Sequence, residues 1–299
     1  MTTTLATPDI APSAILPDGL PVSLVEALAA GRVVPYLGPR VLALAPDYAV
    51  PATPEALVTQ LTAKSSVPHK IRNRLTQSAQ YIENFKHRKT LVGLMNEAFA
   101  APPKPAPLHE SLAGFGFPLI VDAWYDDAMA TALAAHAATG SWGQVQGLAQ
   151  SEHFGTWTGW YDAAGNAVPD CNPDWKTILY KPIGAHGPAG NYLVSDTDYV
   201  EVLTEIDIQT PIPVEVQRLR TGSNFLFVGC RFNDQLPRAF ARQIMKRSSD
   251  RHWAVLPDEP TRMETRFLAE QGITRIALPL SEVAASLVGT AVPALAAAA

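Results

Sequence analysis

The stretch "NFLFVGCRFNDQLPRAFARQIMKRSSD", residues 224–250, combines a strand pattern and a helix pattern around one glycine. Four of its first five residues are apolar, which is typical of a strand that is buried on both faces. A turn follows at Gly229, and the segment after Asp234 predicts a helix. Strand, glycine turn and helix in this order form the unit from which parallel sheets are built.

The same alternation continues in both directions along the chain. Upstream, "FPLIVDAW" (117–124) predicts a strand, and "YDDAMATALAAHAA" (125–138) predicts a helix whose aspartates suit its positive N-terminal end. Downstream, "HWAVLP" (252–257), "EPTRMETRFLAEQGI" (259–273) and "TRIALPL" (274–280) predict strand, helix and strand. We therefore predict an α/β, Rossmann-like fold with a mostly parallel sheet and helices on both faces. Sheets of this kind bind ligands at the carboxyl ends of their strands.

Two segments interrupt the alternation. Residues 54–107 have helical patterns and end in the proline-rich "APPKPAP", so we predict a helical insertion. Residues 141–176 are rich in turns and aromatic side chains, and "DAAGN" (162–166) predicts a small β-hairpin there. The predicted organisation is an N-terminal arm (1–20), a Rossmann-like domain (21–53 and 108–288) that carries both insertions, and a C-terminal tail (289–299).

The composition argues against several classes of protein. A net charge of −5 over 299 residues, without a basic stripe, disfavours nucleic acid as a partner. The chain has no apolar run of about 18 residues to span a membrane, and its start lacks a signal-peptide pattern, so we expect the cytoplasm. The two cysteines, Cys171 and Cys230, do not form the paired motifs of a zinc site. His109 is expected to cap a helix, and no metal is predicted.

The order of the motifs resembles the sirtuin-like superfamily, especially its divergent bacterial branch, over roughly residues 20–288. The resemblance implies a Rossmann-like domain that holds NAD. It also implies transfer of an acyl group to the nicotinamide riboside, or its hydrolysis. The stretches that carry it are "GRVVPYLGPRVL", "PLIVDAWYDDAM", "ILYKPIG", "SDTDYVEVL", "FLFVGCRFNDQLPRAF" and "HWAVLPDEPTRMETRFLAEQGITRIALPL".

The phosphate-binding loop of the family is altered in this chain. The resemblance places a Gly-Ala-Gly turn where this sequence has Gly38, Pro39 and Arg40. Proline removes an N–H donor, and arginine brings a long side chain to a position where the backbone would approach a pyrophosphate. Arg40 could still pair with a phosphate. We therefore regard Gly38, Arg40 and Gly229 as vestigial cofactor-binding positions.

The two catalytic motifs are altered as well. At the position of the family's ribose-binding asparagine the chain has Trp124, whose indole only donates a hydrogen bond and is expected to fill the nicotinamide site. At the position of the general base in the family's Lys-x-His-Gly turn it has Ile183, which cannot accept a proton. We predict no catalytic residues. If the chain is active, the candidates are Asp126, which also suits a helix start, His186 and Asp234.

The aromatic insert offers candidates for a protein interface. Tryptophan and tyrosine are frequent anchors of such interfaces, although a small core under a loop explains the cluster equally well. A basic stretch in the helical insertion, around "HKIRNR" and "FKHRK", suits an acidic partner surface or a solvated helix face. The partner-binding candidates are Trp142, Trp157, Trp160, Tyr161 and Trp175.

Two functions stay open at this stage. The altered motifs favour a non-catalytic sirtuin-like accessory protein that binds another protein, with no cofactor. The alternative is an NAD-dependent deacylase or NAD hydrolase with a rebuilt active site, for which NAD or ADP-ribose is the ligand. Sirtuin-like proteins similar to this chain occur among bacterial nitrogen-fixation genes. The resemblance therefore implies a component of nitrogenase, or of its assembly and protection machinery, as the partner.

Overall fold

The computed structural model describes residue 16, residues 19–205 and residues 211–298. Most of the predicted N-terminal arm lies outside the described residues. Eleven strands are found in the described part of the chain. They are β1 (Val33–Leu37), β2 (Leu119–Asp122), β3 (Trp142–Gly147), β4 (Thr158–Asp162), β5 (Ala167–Val168), β6 (Thr177–Lys181), β7 (Gly184–Ala185), β8 (Asn191–Tyr192), β9 (Asn224–Val228), β10 (His252–Val255) and β11 (Ile273–Ile276).

Nine of these strands form one sheet in the order β11-β10-β9-β1-β2-β6-β3-β4-β5. The seven strands from β11 to β3 are parallel, and β4 and β5 are added antiparallel at one edge. β7 and β8 pair separately as a short ribbon. The predicted mostly parallel, Rossmann-like sheet is confirmed.

Helices cover both faces of the sheet, as expected for parallel strands. They are α1 (Val22–Ala29), a 3-10 helix (Pro39–Leu44), α2 (Pro54–Lys64), α3 (Leu75–Lys86), α4 (Arg88–Ala98), α5 (Pro107–Phe115), α6 (Ala128–His136), α7 (Asp196–Glu205), α8 (Val214–Arg220), α9 (Gln235–Ile244), α10 (Arg262–Glu270) and α11 (Leu280–Ala298). Helix α11 runs through residues 289–298, the segment that the sequence analysis assigned to a C-terminal tail. None of the described helices combines the length and the apolar content that crossing a bilayer requires.

The two faces of the sheet bury separate hydrophobic cores. In β1, Val34 and Tyr36 face one core, and Val33 and Leu37 face the other, as the two-residue period of a strand dictates. The first core lies under α2, α3, α4, α7, α8, α9 and α10, and the second lies under α1, α5, α6 and α11. We call them the first core and the second core below.

The predicted helical insertion contains α2, α3 and α4, and it packs directly on the first core. Thr53 begins α2 by accepting a hydrogen bond from the Ala56 N–H at 3.1 Å. Ile82 and Met95 of the insertion are fully buried in the core that also contains Trp124. The insertion therefore covers the sheet face near the carboxyl ends of β1 and β2.

The aromatic insert differs from the prediction in one respect. The hairpin β4–β5 is present, with its turn at Asp162–Asn166, where the Asp162 carboxylate accepts from the N–H groups of Ala164 and Asn166. However, β3 pairs parallel with β6, and β4 pairs with β3. The segment therefore extends the main sheet, and its first strand is part of the parallel core.

Candidate functional site

The turn at Gly38 and the turn at Gly229 touch each other through their backbones. A Cβ atom at Gly38 would lie 2.6 Å from the Gly229 carbonyl oxygen and 2.8 Å from the Cys230 Cα. Gly229 itself has a φ of 72° and packs as closely on Val41. These glycines are needed because the turns after β1 and β9 touch each other. The structure thus gives both glycines a packing role.

Arg40 is paired with a carboxylate of its own chain. Its Nη1 lies 3.1 Å from Asp258, which also accepts from Arg231 at 2.8 Å. The hydrogen bond from Arg40 holds the pKa of Asp258 below its usual range. The Arg40 side chain keeps 39% exposure, so the pair is of the weak, screened kind. A phosphate at this loop would have to compete with Asp258 for the guanidinium.

Trp124 occupies the carboxyl end of β2 as a core residue. It is only 4% exposed, and its Nε1 donates to the carbonyl oxygen of Pro51 at 2.7 Å. Its ring packs edge-on against Phe99, the residue that follows α4, with the centroids 6.1 Å apart. The single polar atom of the indole is therefore already satisfied within the protein.

Ile183 follows β6 as a core residue, and a small crevice lies farther along this edge of the sheet. The isoleucine is 5% exposed in the first core, and its carbonyl oxygen accepts from the Leu193 N–H. The crevice at the ends of β1 and β2 has a volume of about 10 Å³ and is bordered by Leu42, Phe99 and Asp126 among others. A space of that size holds about one water molecule, whereas ligand sites measure about 300–1,000 Å³.

Two of the three alternative catalytic candidates, Asp126 and Asp234, each lie at the start of a helix. The Asp126 carboxylate accepts from the Ala128 N–H at 2.8 Å at the start of α6, in agreement with the helix-start interpretation. Asp234 is the N-cap of α9 and accepts from Leu236. These two helices follow β2 and β9, which are separated by β1 in the sheet. Both carboxylates therefore have local structural roles.

His186 lies between β7 and β8 and is half-buried. Its backbone N–H donates to the Tyr125 carbonyl, and its Nδ1 lies 3.2 Å from the Tyr192 hydroxyl. The next N–H, of Gly187, donates to Asp127. Burial raises the pKa of Asp127. Backbone and side-chain contacts thus fix this loop against α6.

Lys181 and Asp122 form a buried ion pair that sequence reasoning missed. The lysine Nζ is 2.7 Å from the Asp122 carboxylate and 2.7 Å from the Asp126 carbonyl oxygen, and it is 1% exposed. Burial pushes the pKa of Asp122 upward, and the nearby ammonium group opposes this shift. The lysine of the altered Lys-x-x-Gly turn therefore holds the end of β6 to the loop after β2. The sequence did contain a signal for this pair, because each of two apolar strands ends in a charged residue, one a lysine and the other an aspartate.

His109 lies beside this pair and has the predicted capping role. Its Nδ1 accepts from the Ala106 N–H at 3.0 Å, where α5 begins. Burial lowers the pKa of His109 to about 4, so the imidazole is neutral at neutral pH and can act as an acceptor. Within the described residues, no group of three His, Cys, Asp or Glu side chains has a metal-binding arrangement.

Two of the five partner-binding candidates are core residues. Trp142 is 3% exposed in the second core, and Trp160 is 9% exposed in the first, so neither ring is available at the surface. Strand alternation in the extended sheet turns both rings inward. Trp157, Tyr161 and Trp175 are half-buried. Phe154, which sequence reasoning did not select, is 95% exposed.

The fold is thus a mostly parallel, Rossmann-like sheet with Trp124 and Ile183 buried at its carboxyl edge. A model of the SIR2-like domain family matches residues 118–276, which is more than half of the chain. The chain belongs to the SIR2-like domain family. A comparison with curated proteins gives no significant match. The matched region includes Trp124, Ile183 and Gly229 and excludes the turn at Gly38.

Proposed function

We propose that this SIR2-like protein acts by binding another protein and does not carry out NAD chemistry. The observation that supports the proposal is the burial of Trp124 and Ile183 at the carboxyl edge of the sheet. A crevice bordered by Leu42 and Asp126 at this edge has a volume of about 10 Å³, and a dinucleotide needs far more than this. A scaffold that keeps its fold without its chemistry is consistent with a binding role.

The chemistry of the side chains at the three altered positions also supports a role without NAD chemistry. A general base must accept a proton within hydrogen-bond reach of the substrate, and Ile183 has no group that can do so. The indole N–H of Trp124 already donates to Pro51. Arg40, the remaining candidate for a phosphate contact, is paired with Asp258. None of the three altered positions offers the interaction that the family's reaction requires.

A nitrogenase component, or a protein of its assembly and protection machinery, is the first partner to test. This choice rests on the resemblance to sirtuin-like proteins of nitrogen-fixation gene clusters. A pull-down from nitrogen-fixing cells that recovers no nitrogenase component would count against this partner. It would leave the proposed binding role to be tested with other proteins.

We expect no heat of binding when the purified protein is titrated with NAD or ADP-ribose in a calorimeter, and no release of nicotinamide. The reason is that Trp124 and Ile183 are buried core side chains at the carboxyl edge and offer the ligand neither space nor a polar group. Binding with turnover would contradict the proposal and favour the rebuilt active site. Attention would then turn to Asp126, His186 and Asp234.

Replacing the side chains at the carboxyl edge of the sheet should restore nucleotide binding in part. The triple variant Arg40→Gly, Trp124→Asn and Ile183→His removes the indole, the long cation and the apolar side chain together. We expect measurable ADP-ribose binding by calorimetry, provided that circular dichroism shows native secondary structure. The variant Arg40→Gly alone is the matched control. It should give no heat of binding with ADP-ribose, since Trp124 still occupies the end of β2. A folded triple variant without binding would show that the nucleotide edge lies elsewhere.

A further inference from the structure

A cleft lies at the amino ends of β10 and β11, on the edge of the sheet opposite to Trp124 and Ile183. Its volume is about 530 Å³, and ligand sites typically measure about 300–1,000 Å³. The lining comes from the end of α9 and the segment before β10, and from the end of α10 and the turn before β11. We call it the amino-edge cleft.

The charged lining of the amino-edge cleft has an excess of cations. The cations are Arg242, Lys246 and Arg247, and the carboxylates are Asp250 and Glu270. Glu270 is bound by Arg266, from outside the lining, at 2.6 Å and by Arg242 at 3.8 Å. In a chain with a net charge of −5, a local excess of positive charge in a cleft favours an anionic ligand.

A buried arginine offsets the partial negative charge at the end of α9, which also borders the cleft. Arg220 is 3% exposed, and its Nη1 donates to the carbonyl oxygens of Gln243 and Ile244, each at 2.8 Å. Burial, and after it the nearby Arg247, lower the pKa of Arg220, whereas Tyr180 opposes this shift. An anion beside Arg247 would therefore offset the repulsion between two cations.

Arg247 has a backbone conformation that favours glycine. Its φ is 69°, in the left-handed region, and its carbonyl oxygen accepts from the Gly222 N–H at 3.1 Å. A side chain at such a position has a steric cost, and residues that carry this cost are frequent at binding sites. An arginine with this conformation in the lining of a cleft is consistent with a role of its side chain in binding.

His252 and Ser248 offer two hydrogen-bond donors on the buried side of the cleft. His252 is 2% exposed, and its Nδ1 accepts from the Phe225 N–H at 2.9 Å, so the neutral ring carries its proton on Nε2. Nε2 lies 3.4 Å from the Ser248 Oγ, which is 3.4 Å from the Ser249 carbonyl oxygen. Both contacts are long for hydrogen bonds, so a ligand oxygen can compete for either donor. Because Nδ1 is occupied, His252 cannot take a proton from Ser248, and the pair suits binding rather than catalysis.

The uncharged part of the lining is polar. Gln243, Ser249 and Gln271 border the cleft, and their amide and hydroxyl groups can bind the hydroxyl groups of a sugar. Met245 is the single large apolar side chain among the described lining residues, and it is 5% exposed. A nucleotide base would need an aromatic or apolar platform. A small, polar anion is therefore the better fit.

We propose that the amino-edge cleft binds a sugar phosphate. Arg242 and Arg247 contact the phosphate monoester, whose charge of about −2 at neutral pH suits two guanidinium groups, and Lys246 adds a third positive charge. Ser248 and His252 donate to the remaining phosphate oxygens. The proposal goes beyond the proposed function. NAD and ADP-ribose carry their phosphates as a pyrophosphate diester and have no monoester, so their titration tests a different site.

Calorimetric titration of the full chain with glucose-6-phosphate, in a buffer without phosphate or sulfate, tests the proposal. We expect saturable binding that inorganic phosphate weakens by competition. Glucose should give no heat of binding, because it lacks the phosphate. A wild-type protein that binds neither glucose-6-phosphate nor inorganic phosphate would overturn the proposal. So would a protein that binds glucose as tightly as glucose-6-phosphate.

The variant Arg247→Gly separates binding from folding. Glycine adopts a φ of 69° without steric cost, so this variant should fold as well as the wild type in urea denaturation. It should nevertheless bind glucose-6-phosphate at least about tenfold more weakly, because it loses a charge-assisted hydrogen bond. Arg242→Gln should have an effect of the same size.

Arg72→Gly is the matched control, since it removes an exposed arginine of the helical insertion. This control should keep the wild-type affinity for glucose-6-phosphate. The double variant Arg242→Gln with Arg247→Gly should show no saturable binding. If the double variant binds as tightly as the wild type, the cleft is not the phosphate site and the proposal fails.

Discussion

Replacing Lys181 by methionine is expected to lower the free energy of unfolding by about 3–5 kcal/mol. Methionine keeps most of the side-chain length but removes the ammonium group that lies 2.7 Å from the Asp122 carboxylate. The aspartate would then be buried without a partner, and the Asp126 carbonyl oxygen would lose its donor. Breaking one side of a buried pair is costly because the other charge stays in a medium of low dielectric constant.

The loss of stability in the Lys181→Met variant should depend on pH and on Asp122, the other member of the ion pair. Burial already pushes the pKa of Asp122 upward, and the shift becomes larger without the lysine. A raised carboxyl pKa makes the folded state less stable as pH increases. The Lys181→Met variant should therefore lose more stability at about pH 8 than at about pH 5. The double variant Asp122→Asn with Lys181→Met should recover most of the loss.

Urea denaturation measures these differences, and an exposed pair provides the control. Lys104 and Asp47 lie 3.5 Å apart, and their side chains are 57% and 75% exposed. Lys104→Met should change stability by about 0–1 kcal/mol, as surface pairs do. If the Lys181→Met variant is as stable as the Lys104→Met variant, the buried pair makes no net contribution to the free energy of unfolding.

Acidification between about pH 6.5 and pH 4 is expected to destabilise the protein through two buried histidines. Burial lowers the pKa of both His109 and His252 to about 4. In each, Nδ1 accepts a backbone hydrogen bond, from Ala106 and Phe225 respectively. The unfolded chain binds these protons at about pH 6.5 and the folded chain does so only near pH 4. The contribution of the two histidines to stability is therefore complete above about pH 6.5 and is lost as the pH decreases, by at most about 3 kcal/mol per histidine.

Asparagine in place of each histidine tests this mechanism. The amide oxygen can accept in the position of Nδ1 but does not titrate, so His109→Asn with His252→Asn should flatten the dependence of stability on pH in this window. His69→Asn, at an exposed position, should leave the dependence unchanged. The measurement is the free energy of unfolding in urea at several pH values. An unchanged slope in the double variant would assign the acid sensitivity to other groups.

Local patterns in the sequence were enough to predict the fold and several side-chain roles. The alternation of apolar strands and helices predicted the parallel sheet, because a strand buried on both faces must be apolar throughout. The capping roles of Asp126 and His109 were also predictable, since a cap involves residues only a few positions apart. The altered positions Trp124 and Ile183 were visible in the sequence as well.

The sequence alone determined the class of fold, because the class depends on residue type and local spacing. Tertiary structure alone decided which residues meet. Lys181 pairs with Asp122 because β6 lies next to β2 in the sheet, although 59 positions separate the two residues. Trp142 and Trp160 are buried because their strands join the main sheet. A distant contact depends on strand order and register, and no local pattern encodes either of them.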